Sequence, residues 1–270
     1  MKFAFTTLGT PDWTLERVAE AAKEYGYDGV ELRLIDGDVI SPALLRANRG
    51  RIEALFGGGT PRLVALAASA HFSSGDPATQ RENRDACIEM IDVARELGVL
   101  LVRVFGGKRP DGIDEAAGIA NVAAGLNAVA GVAEAAGVTV MLETHDDFCA
   151  SSVVAAIMER VPSRAIAVHW DVQNTYKMGD SVSQAWERLG PRVAHVHVKD
   201  AVRGTEPWRR VLLGEGDVPV REAIRLLESV GYTGYVSVEM EKKWYPDQPA
   251  PEVALPQYIA GLRAFLGQGT

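Results

Sequence analysis

Short apolar, β-branched runs alternate along the chain with longer stretches in which apolar residues recur every three or four positions. Eight short runs stand out, at 2–8, 28–34, 63–70, 99–105, 138–143, 165–171, 193–198 and 235–240. Between them the period is helical. Ile119, Val122, Ala123, Leu126, Val129, Ala130 and Ala133 share one face of the stretch 114–136, and Leu255, Ile259, Leu262 and Leu266 repeat the spacing near the C-terminus. Ser41-Pro42 and Asp76-Pro77 set a capping side chain ahead of a proline at the first helical position, and Asp180 and Asp217 precede two further periodic segments. Gly26, Gly98, Gly137 and Gly231 follow helical patterns, where a left-handed residue ends a helix at no steric cost. The segments GYDGVE (26–31) and GYTGYVSVE (231–239) are near copies, which points to one supersecondary unit used repeatedly. Strands with a helix in every interval mean βαβ units and a parallel sheet. Eight of them in 270 residues, with no linker or composition break, predict a closed (β/α)8 TIM barrel forming one domain over 1–270.

Composition narrows the partners. The charge is −8, from 28 basic and 36 acidic residues, which argues against binding to phosphate backbones and hence against nucleic acid. Hydrophobic residues make up 47% and charged ones 24%, an ordinary globular balance. Cys87 and Cys149 are too few for a disulfide framework or a cysteine zinc site. The N-terminal stretch lacks a signal-peptide core, and no apolar run of the length of a membrane span is apparent, so a cytoplasmic protein with no membrane partner is expected.

In such a barrel chemistry belongs where the strands end, so ionisable residues at the last positions of apolar strands are the ones to find. Four consecutive strands supply them. The runs Val138–Glu143, Ala165–Asp171, Val193–His197 and Tyr235–Glu239 end on Glu143, Asp171, His197 and Glu239. Neighbouring strands lie about 4.8 Å apart, so these side chains can converge at the mouth. Three converging carboxylates repel unless protons or a metal offset the charge. Three oxygen donors and one imidazole suit one divalent ion, with Mn²⁺, Mg²⁺ or Co²⁺ favoured and Zn²⁺ admissible. Chance placement of salt-bridged rim residues on four successive strands is the weaker explanation.

Other residues face the same region. His71 ends the third run and is a candidate for substrate hydrogen bonding. Glu31 ends the second, where substrate contact competes with an ion pair to Arg33. Lys199 could neutralise an oxyanion or pair with Asp200. His169 and His195 lie two residues below Asp171 and His197 on the same strand face, placed to support the ligands. His145 and Glu241 share the parity of Glu143 and Glu239 and suit supporting roles. Trp208 lies in the loop after strand seven, where it walls the pocket or meets another subunit of a homo-oligomer.

GYDGVELR at strand two, LETH at strand five, WDVQN at strand six, HVHVKD at strand seven, LLGEGDV after it and GYTGYVSVEME at strand eight resemble the xylose-isomerase-like barrel superfamily over nearly the whole chain. This superfamily holds sugar phosphate isomerases and epimerases together with the endonuclease IV branch. The resemblance implies that Glu143, Asp171, His197 and Glu239 are the metal ligands and that Glu143 and Glu239 form the acid/base pair. It matches Arg203, six residues after His197, to an arginine of the family. Two positions depart from the pattern: Asn174 stands where many relatives carry a histidine, and is read as a substrate hydrogen-bonding group, and Cys149 replaces a second glutamate of ketose 3-epimerases. The expected activity is metal-dependent isomerisation or epimerisation of a sugar-like hydroxy-carbonyl compound, with proton removal to an enediolate held by the metal and by Arg203 or Lys199. Expulsion of a β-oxygen from that enediolate would instead make a lyase or dehydratase, acting on a keto-inositol, a dehydroshikimate-type acid or a 3-keto-glycoside. Five histidines and a charge of −8 argue against the multi-metal nuclease.

Overall fold

The structure, a computed structural model, describes residues 1–267. Eight parallel strands close into a ring: β1 Lys2–Thr6, β2 Gly29–Leu32, β3 Arg62–His71, β4 Leu101–Phe105, β5 Thr139–Glu143, β6 Ile166–Asp171, β7 Val193–Val198 and β8 Tyr235–Val238. Seven fall within the expected runs and β3 exceeds the run 63–70 by one residue at each end, and β1 pairs with both β2 and β8 to shut the barrel. Two small hairpins leave the rim, one joining Leu34–Ile35 to Asp38–Val39 and one joining Asp200–Val202 to Arg209–Val211.

Among the described residues ten α-helices lie outside: α1 Leu15–Tyr25, α2 Pro42–Ala47, α3 Arg49–Phe56, α4 Pro77–Glu96, α5 Glu115–Ala136, α6 Ser151–Met158, α7 Val172–Lys177, α8 Val182–Leu189, α9 Val220–Ser229 and α10 Pro251–Phe265. Ser41 and Asp76 cap α2 and α4 through their side chains, as expected. Gly26, Gly98, Gly137 and Gly231 all have φ between 66° and 83°, the left-handed region that lets each helix stop and turn back to the sheet. Asp180 does not cap α8. Ser181 does, in a capping box with Gln184, and the Asp180 carboxylate is taken by Ser151 N and Arg188.

One expectation about apolar residues needs correction. Helix α5 is long and apolar enough by length and composition to cross a membrane, although no such run was expected. Its alanines and glycines dilute the apolar pattern, and in the fold Ile119, Val122, Leu126 and Val129 are buried in the main core. Most Val, Ile and Leu residues of the strands point outward to the helices, and the inward face has a small apolar floor of Ala4, Val64, Ala65, Met141 and Ala167, with Leu101 packed against it. Towards the mouth, ionisable side chains predominate at the inward positions, with Ser237 beside them.

Candidate active site

Strand alternation places Glu31, Arg103, Glu143, His169, Asp171, His195, His197, Lys199 and Glu239 inside the barrel, and none is more than 4% exposed. Parallel register sets their heights, pairing Glu143 with His169 and Asp171 with His197. Glu143, Asp171, His197 and Glu239 converge as expected, with one donor atom from each within 4.8 Å of the others. His197 Nδ1 stands 3.5 Å from Glu143 Oε1 and 3.3 Å from Glu239 Oε1. The donor set fits one divalent ion. Both Glu143 oxygens and His197 Nδ1 are buried without a hydrogen-bond partner, and an ion at their meeting point would satisfy all three.

The charge is not left to an ion alone. Arg103, from the centre of β4, sets its Nε 3.1 Å from Glu143 Oε2, donates from Nη1 to Ala68 O and stacks on Phe105. Lys199 donates to Asp171 Oδ2 at 2.7 Å and also to Glu239 Oε2. The expectation that only protons or a metal could offset the three carboxylates is therefore wrong, since β4 and the end of β7 supply two fixed cations. Arg103 was missed in the sequence, yet an arginine at an inward position of the apolar run LVRVF was its signal.

These neighbours set the ionisation. Burial pushes the Glu143 carboxyl up, but Arg103 together with His197 and His169 outweighs it and the pKa falls to about 2. Glu239 is likewise raised by burial and drawn well below the carboxylate range by His197 and Lys199. Asp171 goes the other way: burial, with the like charges of Glu239 and Glu143, lifts it to about 6 despite Lys199. His197, opposed by burial, is held well above the usual imidazole value by Glu239 and Glu31.

Glu31 lies beneath the ligands. Its Oε2 accepts from His197 Nε2 at 2.8 Å and His195 Nε2 at 3.1 Å, because an ionised carboxylate can only accept. It makes no pair with Arg33, whose guanidinium donates to Ala67 O and Ser69 Oγ. With Nε2 committed to Glu31, His197 presents Nδ1 to the mouth, the carboxylate–histidine arrangement that orients a metal ligand. His169 packs its ring 3.9 Å from that of His197, and neither of its ring nitrogens has a hydrogen-bond partner.

Lys199 was weighed as a partner of Asp200, but the two point to opposite sides of the strand. The Asp200 carboxylate accepts from the backbone N–H groups of Gly214, Gly216 and Val218. This explains the LLGEGDV motif: a Cβ on Gly216 would lie 2.2 Å from Asp200 Oδ1, so only glycine lets the loop fold over the carboxylate. Asp171 Oδ1 caps α7 by accepting from Asn174 N, and the Asn174 amide donates one N–H to Thr144 O.

The remaining candidates sit apart from the cluster. Arg203 is exposed and lies over the rings of Tyr176, at 4.4 Å, and Trp208, at 5.4 Å, making no contact with the carboxylates. His71 is exposed at the end of β3, its ring turned to Ser69 O and its backbone N–H bonded to Asn83 Oδ1. His145 pairs with Asp146 and packs on Phe105. Glu241 bonds Arg210 and stands 4.0 Å from Lys199. Beside it, Trp208, Arg210, Trp244 and Tyr245 line a cavity of about 400 Å³ between the loops that follow β7 and β8.

Comparison with known proteins agrees with this fold. The family model described as xylose isomerase-like TIM barrel matches residues 19–264. The chain is 24% identical over 280 residues to fructoselysine 3-epimerase of Shigella flexneri, covering 98% of each. Among solved structures it is similar to the IOLI protein with a binding zinc atom, at TM-score 0.83 and 19% identity over 99% of this chain and 100% of that one. It is also similar to D-psicose 3-epimerase from Clostridium cellulolyticum H10, at TM-score 0.77 and 19% identity over 98% of each chain.

Proposed function

The chain belongs to the xylose isomerase-like TIM barrel family, and from that premise we propose that it is a divalent-metal-dependent epimerase or isomerase of a sugar or sugar-like hydroxy-carbonyl compound. One observation carries this: two ionised glutamates, Glu143 and Glu239, flank His197 Nδ1 at 3.5 and 3.3 Å within a cluster of four metal-type donors at the barrel mouth. The similarity to a fructoselysine 3-epimerase along the whole chain supports a carbohydrate substrate.

Glu143, Asp171, His197 and Glu239 would hold the ion, which when bound supplies Lewis acidity that makes the C–H next to a carbonyl easier to ionise. Glu143 and Glu239 both enter the reaction as carboxylates and come from opposite sides of the cluster. One accepts the proton from carbon, and the other takes a proton from water at the mouth and delivers it to the opposite face. The first then returns its proton to water, so that both end as carboxylates. Lys199 offers a buried ammonium to the oxygen that gains charge. Arg203, stacked on Tyr176 and Trp208, is placed to bind a distal part of the substrate rather than the reacting atoms. The expectation that it holds the enediolate gives way to this role.

The test is a panel of ketoses, keto-acids and keto-glycosides incubated with the Mn²⁺-loaded protein in D₂O. Deuterium entering beside the carbonyl without loss of water is the expected result for at least one ketose-type compound. Glu239→Gln should slow it by about a hundredfold or more, the usual cost of a lost general base. Loss of water would instead mark a lyase, and no exchange with any carbonyl compound would overturn the proposal.

A further inference from the structure

We infer that Lys199 is a resident cation of the metal site, which keeps the carboxylates assembled before an ion arrives and holds the affinity for that ion down. This rests on the metal-site reading above. Lys199 Nζ lies 2.7 Å from Asp171 Oδ2 and bonds Glu239 Oε2, so one ammonium bridges two of the three carboxylate ligands. The residue is 2% exposed, leaving the ammonium no water to exchange these partners for. Its one other acidic neighbour within 4.0 Å among the described residues, Glu241, is already paired with Arg210. From across the barrel Arg103 does the same for Glu143.

Every carboxylate of the cluster thus faces a fixed positive group before any metal is present. The lysine takes one oxygen from each partner and leaves Glu239 Oε1 turned to His197 Nδ1. An ion on the remaining donors meets carboxylates whose second oxygen is held by a like charge, and it is repelled at short range. Two consequences follow: the stripped protein stays folded, unlike small metal domains whose folding energy is the binding energy, and the ion is exchangeable.

The experiment is isothermal titration of chelator-stripped protein with Mn²⁺ alone, for the wild type, Lys199→Met and Lys199→Arg. Methionine keeps length without charge, and arginine keeps charge. Lys199→Met should bind Mn²⁺ at least about tenfold more tightly, since a unit charge near a dication changes affinity by that much even when water-screened. Lys199→Arg should stay within about threefold of the wild type. Unchanged or weaker binding by Lys199→Met, with a normal wild type, overturns the inference and leaves the metal site standing. Failure of all three proteins to bind Mn²⁺ overturns both. If stripped Lys199→Met does not fold but Mn²⁺ restores it, the need for a cation at this position is supported. Thermal unfolding gives a second measurement. Wild type stripped with EDTA should keep a cooperative transition, and loss of its fold on chelation would refute the inference whatever the variants do.

Discussion

Replacing Arg103 with methionine isolates the charge balance on which the site depends. The Arg103 guanidinium is 2% exposed and 3.1 Å from a carboxylate that is fully buried. Methionine fills much of the stem's volume, so the loss is mainly electrostatic. Removing one partner of a buried ion pair costs about 3–5 kcal/mol, because the other charge is left uncompensated. Arg103 is the largest of the charges that lower the Glu143 carboxyl to about 2 against the effect of burial.

Urea unfolding at pH 7, extrapolated linearly, should therefore show Arg103→Met less stable by about 3–5 kcal/mol, with a melting temperature lower by roughly 6–20 °C. The sign with pH is specific. A depressed carboxyl contributes stability above its unfolded value near 4.5 and loses it as pH falls towards about 2, so the gap between wild type and variant should narrow across that window. Adding Glu143→Gln should recover part of the loss by removing the unpaired charge. Saturating Mn²⁺ should also recover part, by about 2.7 kcal/mol at a hundred times its dissociation constant. A loss below about 1 kcal/mol, or a double variant no more stable than Arg103→Met, would refute the claim that Arg103 balances Glu143.

Three further outcomes can be checked. Glu31→Gln replaces the carboxylate that accepts from His197 Nε2, and Mn²⁺ affinity measured by titration should fall about 10–100-fold, the usual effect of losing a group that orients a metal ligand. Arg203→Lys removes a planar group from the Tyr176 and Trp208 rings, so KM should rise several-fold with kcat unchanged; a fall in kcat at constant KM would return Arg203 to the reacting atoms. Mn²⁺ affinity should rise with pH, because His197, held protonated above its usual range, and Asp171, raised to about 6, must both give up protons to bind. Between pH 5 and 7 the gain should be at least about a hundredfold, and a flat profile would show that neither proton competes.

Much of this was legible in the chain itself. Eight strand runs, the glycines that close the helices and the ionisable ends of β5 to β8 are local signals, set by side-chain period and by the steric freedom of single residues, and they lie where expected. Alternation alone also places His195, His197 and Lys199 on one face of β7 and Asp200 on the other. The partners were another matter. Nothing in the run LVRVF says that Arg103 meets Glu143 rather than a surface acid, and nothing near position 31 says that Glu31 reaches His195 and His197, more than 160 residues away in sequence. The first pairing depends on β4 lying beside β5 in parallel register, and the second on closing the ring, which brings β2 to face β7 across the interior. Arg203 and His71 were placed by their distance from a strand end, but at the rim aromatic stacking and a neighbouring helix decide where such side chains turn. Sequence determined which residues enter the barrel; closure determined which charges they meet, because in a water-poor interior every buried charge is settled by its neighbours across the ring.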